Sequence, residues 1–301
     1  MRISHNMIAG NLLRAVQTNL EGLIRSQERM STGKKVNRPS DDPAAANHIM
    51  TLRASLDINR QYTRNIDDGL AWVYETDAAL NDATGLLQKA RELAVQGSNG
   101  TLTREDMAAL ARQVDGVIDG MTNVANHALG GKYIFAGTKT STPPFVVDKD
   151  SKTVTYNGDT SAILREVAAD FAVQVDAGGV VFGAAGQGNV PDGVFHTLFR
   201  LRDALDSGDH AAVGNLLGEI DQRIDELLVH RVKIGSRTNH LEALKAQLQD
   251  QEVRFTGVMS GLQDADIARV TIEFGQRQLA YQAALAAGAR LLQTSLLDFL
   301  R

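Results

Sequence analysis

The sequence predicts a mainly α-helical protein with a small β insert. Long helices pair as antiparallel coiled coils, the two termini pair with each other, and the β domain lies at the distal end. Three observations predict this class. The five prolines leave residues 44–142 and 192–301 free to form long helices. Apolar residues recur with a heptad spacing in both stretches. From Lys132 to Pro191 the pattern changes to short runs that are typical of strands.

The two ends of the chain are predicted to be amphipathic helices, from Met7 to Met30 and from Asp264 to Arg301. Each carries an apolar stripe at intervals of three and four residues. One stripe cannot offset the conformational entropy lost when so long a helix becomes ordered, so each helix needs a partner. We expect an antiparallel terminal pair that further copies of the molecule complete, although the stripes alone fit an ordinary hairpin in a globular bundle equally well. The candidate interface consists of Leu13, Val16, Leu20, Leu23, Val270, Phe274, Tyr281, Leu285, Leu292, Leu296 and Phe299.

A second helix is predicted from about Ala44 to about Val95. Gly33 is a plausible C-terminal cap of the first helix, and Asp42 with Pro43 begins the second. A heptad seam runs without a break along this second helix, which indicates a coiled coil. Polar residues interrupt the seam and are predicted to set its register. The seam consists of Ile49, Leu52, Leu56, Asn59, Thr63, Ile66, Leu70, Val73, Asp77, Leu80, Thr84, Leu87, Arg91 and Ala94.

The remaining elements follow from caps and turns. Thr103 with Asp106 at the capping-box position predicts a third helix, which ends near Gly130-Gly131. A helical pattern begins again near Gly193. Asp209 is predicted to cap a long helix that carries a second heptad seam. That helix is expected to end at Gly257, Gly261 and the cap of the final helix at residues 264–266. The second seam consists of Val213, Leu217, Ile220, Ile224, Leu227, Ile234, Leu241, Leu248 and Phe255, with Arg231, Lys245 and Glu252 as interruptions.

The β insert is predicted from six short runs between the helical halves. Asn157-Gly158 is a strong hairpin signal, and Ala177-Gly178-Gly179 is a weaker one. The predicted strands are Tyr133–Ala136, Phe145–Val147, Thr153–Tyr156, Ile163–Val167, Phe171–Val175 and Val180–Phe182.

Composition and motifs argue against catalysis and cofactors. The net charge of −5 is spread along the chain and lacks the clustered basic face of a nucleic-acid-binding protein. Cysteine is absent, and the seven histidines never take the spacing of metal ligands. The glycines from Gly183 to Gly188 fit neither a dinucleotide fingerprint nor a P-loop. No stretch is apolar enough to span a membrane, and the N-terminus lacks the apolar core of a secretory signal peptide. We predict a non-enzyme without cofactor or metal.

Several motifs resemble the bacterial flagellin superfamily, in the order in which that family carries them. Within it, three features resemble the hook–filament junction proteins more than flagellin itself. These are the Pro39-Ser-Asp-Asp-Pro43 turn, Tyr133-Ile-Phe-Ala-Gly137 with Pro143-Pro-Phe145, and the ending from Ser295 to Arg301. The superfamily motifs are Arg29-Met-Ser-Thr-Gly33, Asn37-Arg-Pro-Ser-Asp-Asp-Pro43, Asn65-Ile-Asp-Asp-Gly69, Arg91-Glu-Leu-Ala-Val-Gln96, Arg231-Val-Lys-Ile-Gly235 with Asn239, and Asp264-Ala-Asp266.

The resemblance implies an axial structural protein of the flagellum that joins hook to filament and templates flagellin polymerisation. The implied partners are further copies in a ring, a hook-associated protein on the hook side, and flagellin or the other junction protein on the filament side. A cytoplasmic export chaperone would shield the stripe from Val270 to Phe299. Export without a cleaved signal peptide would place the protein outside the cell. No nucleic acid or membrane is implied.

The resemblance and the stripes together divide the chain into three predicted domains. Residues 1–38 with 264–301 form a terminal coiled-coil assembly domain, residues 39–130 with 193–263 form a helical rod domain, and residues 131–192 form an outer β domain. Two alternatives remain open from the sequence. One is a minor flagellin within the filament, and the other is a coiled-coil adaptor protein whose central hairpin docks a partner.

Overall fold

The structure of the protein, a computed structural model, describes the backbone of residues 2–299 and the side chains of residue 7 and residues 10–289. Long helices dominate these residues, which confirms the predicted fold class. The helices are α1 (Arg2–Thr32), α2 (Pro43–Gly97), α3 (Arg104–Ala125), α4 (Val194–Ser207), α5 (His210–Gln263) and α6 (Ile267–Phe299), with a short 3-10 helix at Gly179–Phe182.

Four predicted helix ends are confirmed by backbone conformation or by capping hydrogen bonds. Gly33 has a φ of +70° and ends α1, because a residue without a side chain tolerates this left-handed conformation. The Asp42 carboxylate accepts a hydrogen bond from Ala45 N at 2.9 Å at the start of α2. Thr103 and Asp106 form the complete capping box of α3, and Asp209 accepts a hydrogen bond from Ala212 N at 2.9 Å. The sequence therefore determines these helix starts locally.

The chain forms two compact units, Met1–Asn59 with Asp250–Arg301 and Arg60–Gln249. We call the first the terminal unit and the second the central unit. The terminal unit contains α1, α6 and the adjoining ends of α2 and α5. The central unit contains α3, α4, the β region and the remainder of α2 and α5.

In the central unit, α2 and α5 are antiparallel neighbours. Their apolar seams enter one core that includes Ile66, Leu80 and Leu87 from α2 and Leu227 and Ile234 from α5. The charged interruptions of one seam pair with charges on the other helix. These pairs are Asp67–Lys245 at 2.8 Å, Asp77–Arg231 at 3.2 Å and Arg91–Asp221 at 2.6 Å. Residue numbers fall on α5 as they rise on α2, which is the signature of an antiparallel pair.

Three small antiparallel sheets make up the β region. Their strands are β1 (Ala128–Leu129), β2 (Lys132–Tyr133), β3 (Phe145–Asp148), β4 (Thr153–Tyr156), β5 (Leu164–Ala168), β6 (Phe171–Gln174) and β7 (Gly188–Asn189). The sheet orders are β1-β2, β3-β4-β7 and β5-β6. The aromatic residues of this region pack together, with Phe135, Phe145 and Phe182 in edge-to-face contacts at centroid distances of 5.0 and 5.5 Å. They join the α3 and α4 side chains in the core of the central unit.

Several local predictions about the β region are wrong. Asn157-Gly158 does not form a hairpin, because β4 pairs with β3 before it and with β7 far beyond it. The sharp turns lie elsewhere, at Lys152 and Asp170, which have φ values of 54° and 57°. Val180–Phe182 belongs to the 3-10 helix and forms no strand. Three strand pairs join neighbours in sequence, but β7 pairs with β4 from a distant part of the chain, and a short apolar run does not determine such a pairing.

Two helix ends also differ from the prediction. Helix α3 ends at Ala125, and Gly130 and Gly131 instead form the turn between β1 and β2, with φ values of 57° and 80°. Helix α5 continues through Gly257 and Gly261 to Gln263. A helix tolerates an isolated glycine at a cost of about 1 kcal/mol, which neighbouring turns can offset.

Candidate assembly surfaces of the terminal helices

Helices α1 and α6 pack against each other antiparallel, and their contact is made at small residues. Gly22 is buried against the guanidinium of Arg277, and Gly288 is buried against the side chain of Leu12. A Cβ atom on Gly288 would lie 2.8 Å from Leu12 Cδ2. Ser26, buried one turn after Gly22, donates its hydroxyl to Gly22 O at 3.0 Å. The two glycines therefore leave room for a large side chain of the facing helix.

Nine large apolar side chains of α1 and α6 are exposed and are not buried in this contact. Leu13 and Ile24 on α1 are 61% and 53% exposed, and Ile272 and Leu279 on α6 are 62% and 69% exposed. Apolar side chains this exposed on two packed helices are candidates for contact with a neighbouring molecule. We call this set the outer apolar face. It consists of Met7, Leu13, Leu20, Ile24, Met30, Ile267, Ile272, Leu279 and Leu285.

The residues predicted for the interface fall into three groups. Val270 is buried, and Val16, Leu23, Phe274 and Tyr281 are half-buried. Leu13, Leu20 and Leu285 are exposed and belong to the outer apolar face. Leu292, Leu296 and Phe299 lie outside the described side chains. The interface prediction missed Ile24, which follows Leu20 at the four-residue spacing of the stripe. It also missed Ile272 and Leu279, which lie on the opposite side of α6 from the predicted stripe. The small residues on each helix mark the side that contacts the other helix. Comparing the position of every apolar residue with that side could have identified these three.

Short backbone hydrogen bonds hold the end of α1 to the junction between α5 and α6. Lys34 and Asp264 form an isolated antiparallel β-bridge. Lys35 N donates to Gln263 O at 2.8 Å, and Ala265 N donates to Gly33 O at 2.8 Å. The end of α1 and the junction between α5 and α6 therefore lie side by side in the terminal unit. A small apolar cluster of Val36, Ala45, Ala46 and Ile49, with Met259 and Leu262 against it, adjoins this bridge.

The turn between α1 and α2 is organised by the carboxylate of Asp41. It accepts hydrogen bonds from Arg38 N at 2.9 Å and Asn37 N at 3.1 Å. These two N–H groups hold the pKa of the Asp41 carboxyl below its usual value, because they stabilise its charged form. Arg38 also pairs with Glu28 of α1 at 3.1 Å. The sequence analysis assigned a capping role to Asp42 and missed this role of Asp41, whose N–H partners lie three and four residues before it in the turn.

The described residues present no candidate metal site. Searching them for groups of three or more His, Asp or Glu side chains able to hold a metal ion found none. Among the same residues, no helix is long and apolar enough to cross a lipid bilayer. The feature that stands out is the outer apolar face together with the small-residue contact of α1 and α6.

Comparison with known proteins defines the class to which this architecture belongs. The family profile for the bacterial flagellin N-terminal helical region matches residues 3–140, and that for the C-terminal helical region matches residues 217–300. The flagellin of Bacillus subtilis is 26% identical over the full length of both chains. The fold and its terminal helices are therefore those of the flagellin superfamily.

Within the superfamily, the comparisons distinguish one branch. Flagellar hook-associated protein 3 of Escherichia coli is 30% identical over 95% of this chain and 96% of its own length. The chain belongs to the flagellar hook-associated protein 3 family, among the structural proteins of the bacterial flagellum.

Solved structures have the same fold. A flagellar hook-associated protein from Vibrio parahaemolyticus has a TM-score of 0.67 at 21% identity and covers 74% of this chain and 100% of its own. The flagellar junction protein FlgL from Legionella pneumophila has a TM-score of 0.60 at 17% identity and covers 73% of this chain and 100% of its own.

Proposed function

We propose that this protein joins the flagellar hook to the filament and templates the polymerisation of flagellin. The observation that carries the proposal is the outer apolar face. Leu13, Ile24, Ile272 and Leu279 are held on two packed helices with more than half of each side chain exposed. An isolated molecule leaves this surface in water, whereas neighbouring subunits would bury it at a gain of roughly 25 cal/mol per Å² of apolar area. Its function is structural, without catalysis.

Assembly is the step that completes the burial of the terminal helices. The small-residue contact of Gly22 and Gly288 brings α1 and α6 together but buries few large apolar groups. The remaining stabilisation would come from copies of the chain around a ring and from the flagellar proteins above and below it. These neighbours would be a hook-associated protein on the hook side and flagellin or the other junction protein on the filament side.

Before assembly, the same surface needs protection. We infer that a cytoplasmic export chaperone covers the α6 part of it, between Val270 and Phe299, and that the chain is exported to the flagellum without a cleaved signal peptide. In this scheme, residues 1–38 with 264–301 form the assembly domain, residues 39–130 with 193–263 form the helical rod, and residues 131–192 form the outer β domain. The exposure of Leu279 at 69% supports a chaperone that binds an apolar helix face.

Deletion of the gene in its motile parent tests the proposal directly. Flagellin should be shed into the culture medium by cells that keep hooks without filaments, because the filament subunit is still exported but finds no template. Return of the wild-type gene should restore filaments and motility.

The same deletion also distinguishes the junction role from its close alternative, a minor flagellin. The full-length similarity to Bacillus subtilis flagellin is the observation that favours this alternative. Bare hooks without flagellin in the medium would indicate that this protein is itself the filament subunit. Normal filaments in the deletion strain would contradict a junction role and would leave a minor flagellin, or a role outside the flagellum.

A further inference from the structure

Two Asn-Gly pairs occur in the chain, and neither has a part in the proposed assembly role. Asn99-Gly100 lies in the turn between α2 and α3, and Asn157-Gly158 follows β4. An asparagine side chain reacts readily with the next backbone nitrogen when that residue is glycine, because no side chain obstructs the approach. The two pairs carry the same chemical groups, so their surroundings decide whether they react.

The turn that contains Asn99 leaves the reacting groups accessible. Asn99 and Gly100 are exposed, and a Cβ atom on Gly100 would have no neighbour within 4 Å. Gly100 N donates no hydrogen bond to any residue that the structure describes. The Asn99 carbonyl accepts one backbone hydrogen bond, from Leu102 N at 3.2 Å. Rotation of the peptide between Asn99 and Gly100 therefore breaks only this one bond.

The side-chain oxygen of Asn99 has two hydrogen-bond donors from one residue. Thr101 N lies 3.2 Å from Asn99 Oδ1, and the Thr101 hydroxyl lies 3.0 Å from it. When a nucleophile adds to Asn99 Cγ, this oxygen gains negative charge. Donors that are already in place stabilise such a charge, as they do in an oxyanion hole. Thr101 therefore assists the same addition that the nitrogen of Gly100 is free to make.

The second pair lies in a closed environment. Gly158 is buried, and a Cβ atom there would lie 2.4 Å from the ring of Tyr156 and 2.7 Å from Ala136 O. Asn157 N donates a hydrogen bond to Pro144 O at 2.8 Å. Rotation of the peptide between Asn157 and Gly158 would disturb these contacts, so this pair reacts only when its part of the β region opens.

We propose that Asn99 is a site of spontaneous deamidation in the folded protein and that Asn157 is protected from it. Gly100 N gives up its proton and forms a bond to Asn99 Cγ. The bond from Cγ to Nδ2 breaks, and Nδ2 leaves with a proton as ammonia, so that a five-membered succinimide remains. Water then opens this ring. Cleavage between Cγ and the ring nitrogen gives aspartate, and cleavage between the Asn99 carbonyl carbon and that nitrogen gives isoaspartate.

Either product adds one negative charge to the turn before α3. Thr103 is the N-cap of that helix, and negative charge near a helix N-terminus is favourable, so the aspartate form should keep the fold. The modified fraction rises with the time that a molecule has remained folded, and it therefore records the age of the protein. This inference does not depend on the proposed function, since it needs only the folded chain and water.

Peptide mass spectrometry of the full-length protein tests the proposal. The folded protein is incubated at mildly alkaline pH and sampled over time, and loss of the amide is measured at both asparagines after digestion. Asn99 should react at least about tenfold faster than Asn157 in the folded protein, because Asn157 must wait for local opening. In urea, where both pairs are solvated, the two rates should become similar. A rate ratio near one in the folded protein, or no reaction at Asn99 while the unfolded chain reacts, would overturn the proposal.

Matched variants of Thr101 test whether the turn itself assists the reaction. Thr101→Val keeps the backbone N–H and the size of the side chain but removes the hydroxyl. It should slow deamidation of Asn99 about fivefold, which corresponds to the loss of one neutral hydrogen bond. Thr101→Ser keeps the hydroxyl and should react at close to the wild-type rate, and neither variant should change the rate at Asn157. Equal rates at Asn99 in all three proteins would contradict the role of the Thr101 hydroxyl.

Discussion

Tyr156 is the residue around which the β region packs. It is fully buried on β4, and its hydroxyl lies 2.9 Å from the carbonyl oxygens of both Phe135 and Asp159. Gly158 and Gly179 lie so close to its ring that a Cβ atom at either position would collide with it. Burial raises the pKa of Tyr156 to about 12, because the phenolate would be poorly solvated there. One side chain therefore connects the segments before and after β4.

This raised pKa predicts a loss of stability in alkali. An unfolded tyrosine ionises near pH 10, whereas Tyr156 in the folded protein keeps its proton to about pH 12. Between these values the unfolded state binds fewer protons than the folded state, so the free energy of unfolding falls as pH rises, by up to about 3 kcal/mol. Urea unfolding at pH values from neutral to 12 measures this loss. The Tyr156→Phe protein should be less stable than the wild type at neutral pH, and its free energy of unfolding should fall less between pH 10 and 12. An equal fall in both proteins would show that Tyr156 is not the origin of the alkaline loss.

At the scale of elements, charge pairs determine how α2 and α5 align. Asp77 and Arg231 interrupt the two apolar seams at the same level. Lys245 interrupts the α5 seam elsewhere and pairs with Asp67, which lies beside the α2 seam. The sequence analysis predicted that polar interruptions set register. The structure adds the identity of the partners. A partly exposed pair of this kind contributes little free energy, about 0.2–1 kcal/mol, so its main effect is to disfavour shifted alignments.

Exchange of the two charges tests this arrangement. Asp77→Arg and Arg231→Asp should each destabilise the central unit by about 1 kcal/mol or more, because each places two like charges side by side. The double variant should recover most of that loss, since the pair is restored with opposite polarity. Chemical denaturation of the four proteins completes the double-mutant cycle. Additive losses in the double variant would mean that Asp77 and Arg231 do not interact.

At the scale of the whole molecule, folding and assembly are predicted to depend on different surfaces. The core of the central unit includes Leu80, Leu87 and Ile118, each fully buried, and so does not need a neighbouring subunit. The terminal unit keeps its outer apolar face in contact with water. A change in that face should therefore affect assembly without unfolding the central unit.

Leu285→Asp is the variant that separates these two properties. Leu285 is 46% exposed, so the aspartate is tolerated in the isolated chain but would be buried without a partner in the assembled structure. Strains that carry this variant should lack motility, while the thermal unfolding of the purified protein stays close to that of the wild type. Gln282→Asp, at an exposed polar position on the same helix, adds the same charge and should remain motile. Full motility of the Leu285→Asp strain would refute the assembly role of this face.

Much of the fold could be predicted from the sequence because it depends on local chemistry. Thr103 with Asp106 and Asp42 with Pro43 began their helices as predicted, since a cap depends on neighbours within one turn. The seam from Ile49 to Ala94 was also recognised, because helical periodicity places its residues on one face. The strand pairings were not recognised, since β4 finds its second partner in β7 only after the chain has returned from the 3-10 helix.

The sequence by itself determined the helices, their caps and the family, through local hydrogen bonding, heptad spacing and motifs such as the turn from Asn37 to Pro43. Only the tertiary structure decided which side of the terminal helices faces inward. Gly22 and Gly288 make room for the side chains of Arg277 and Leu12, whereas Leu13 and Leu279 remain exposed. Periodicity identifies an apolar stripe, but the fit between side chains of the two packed helices decides which residues of each helix are buried within the chain.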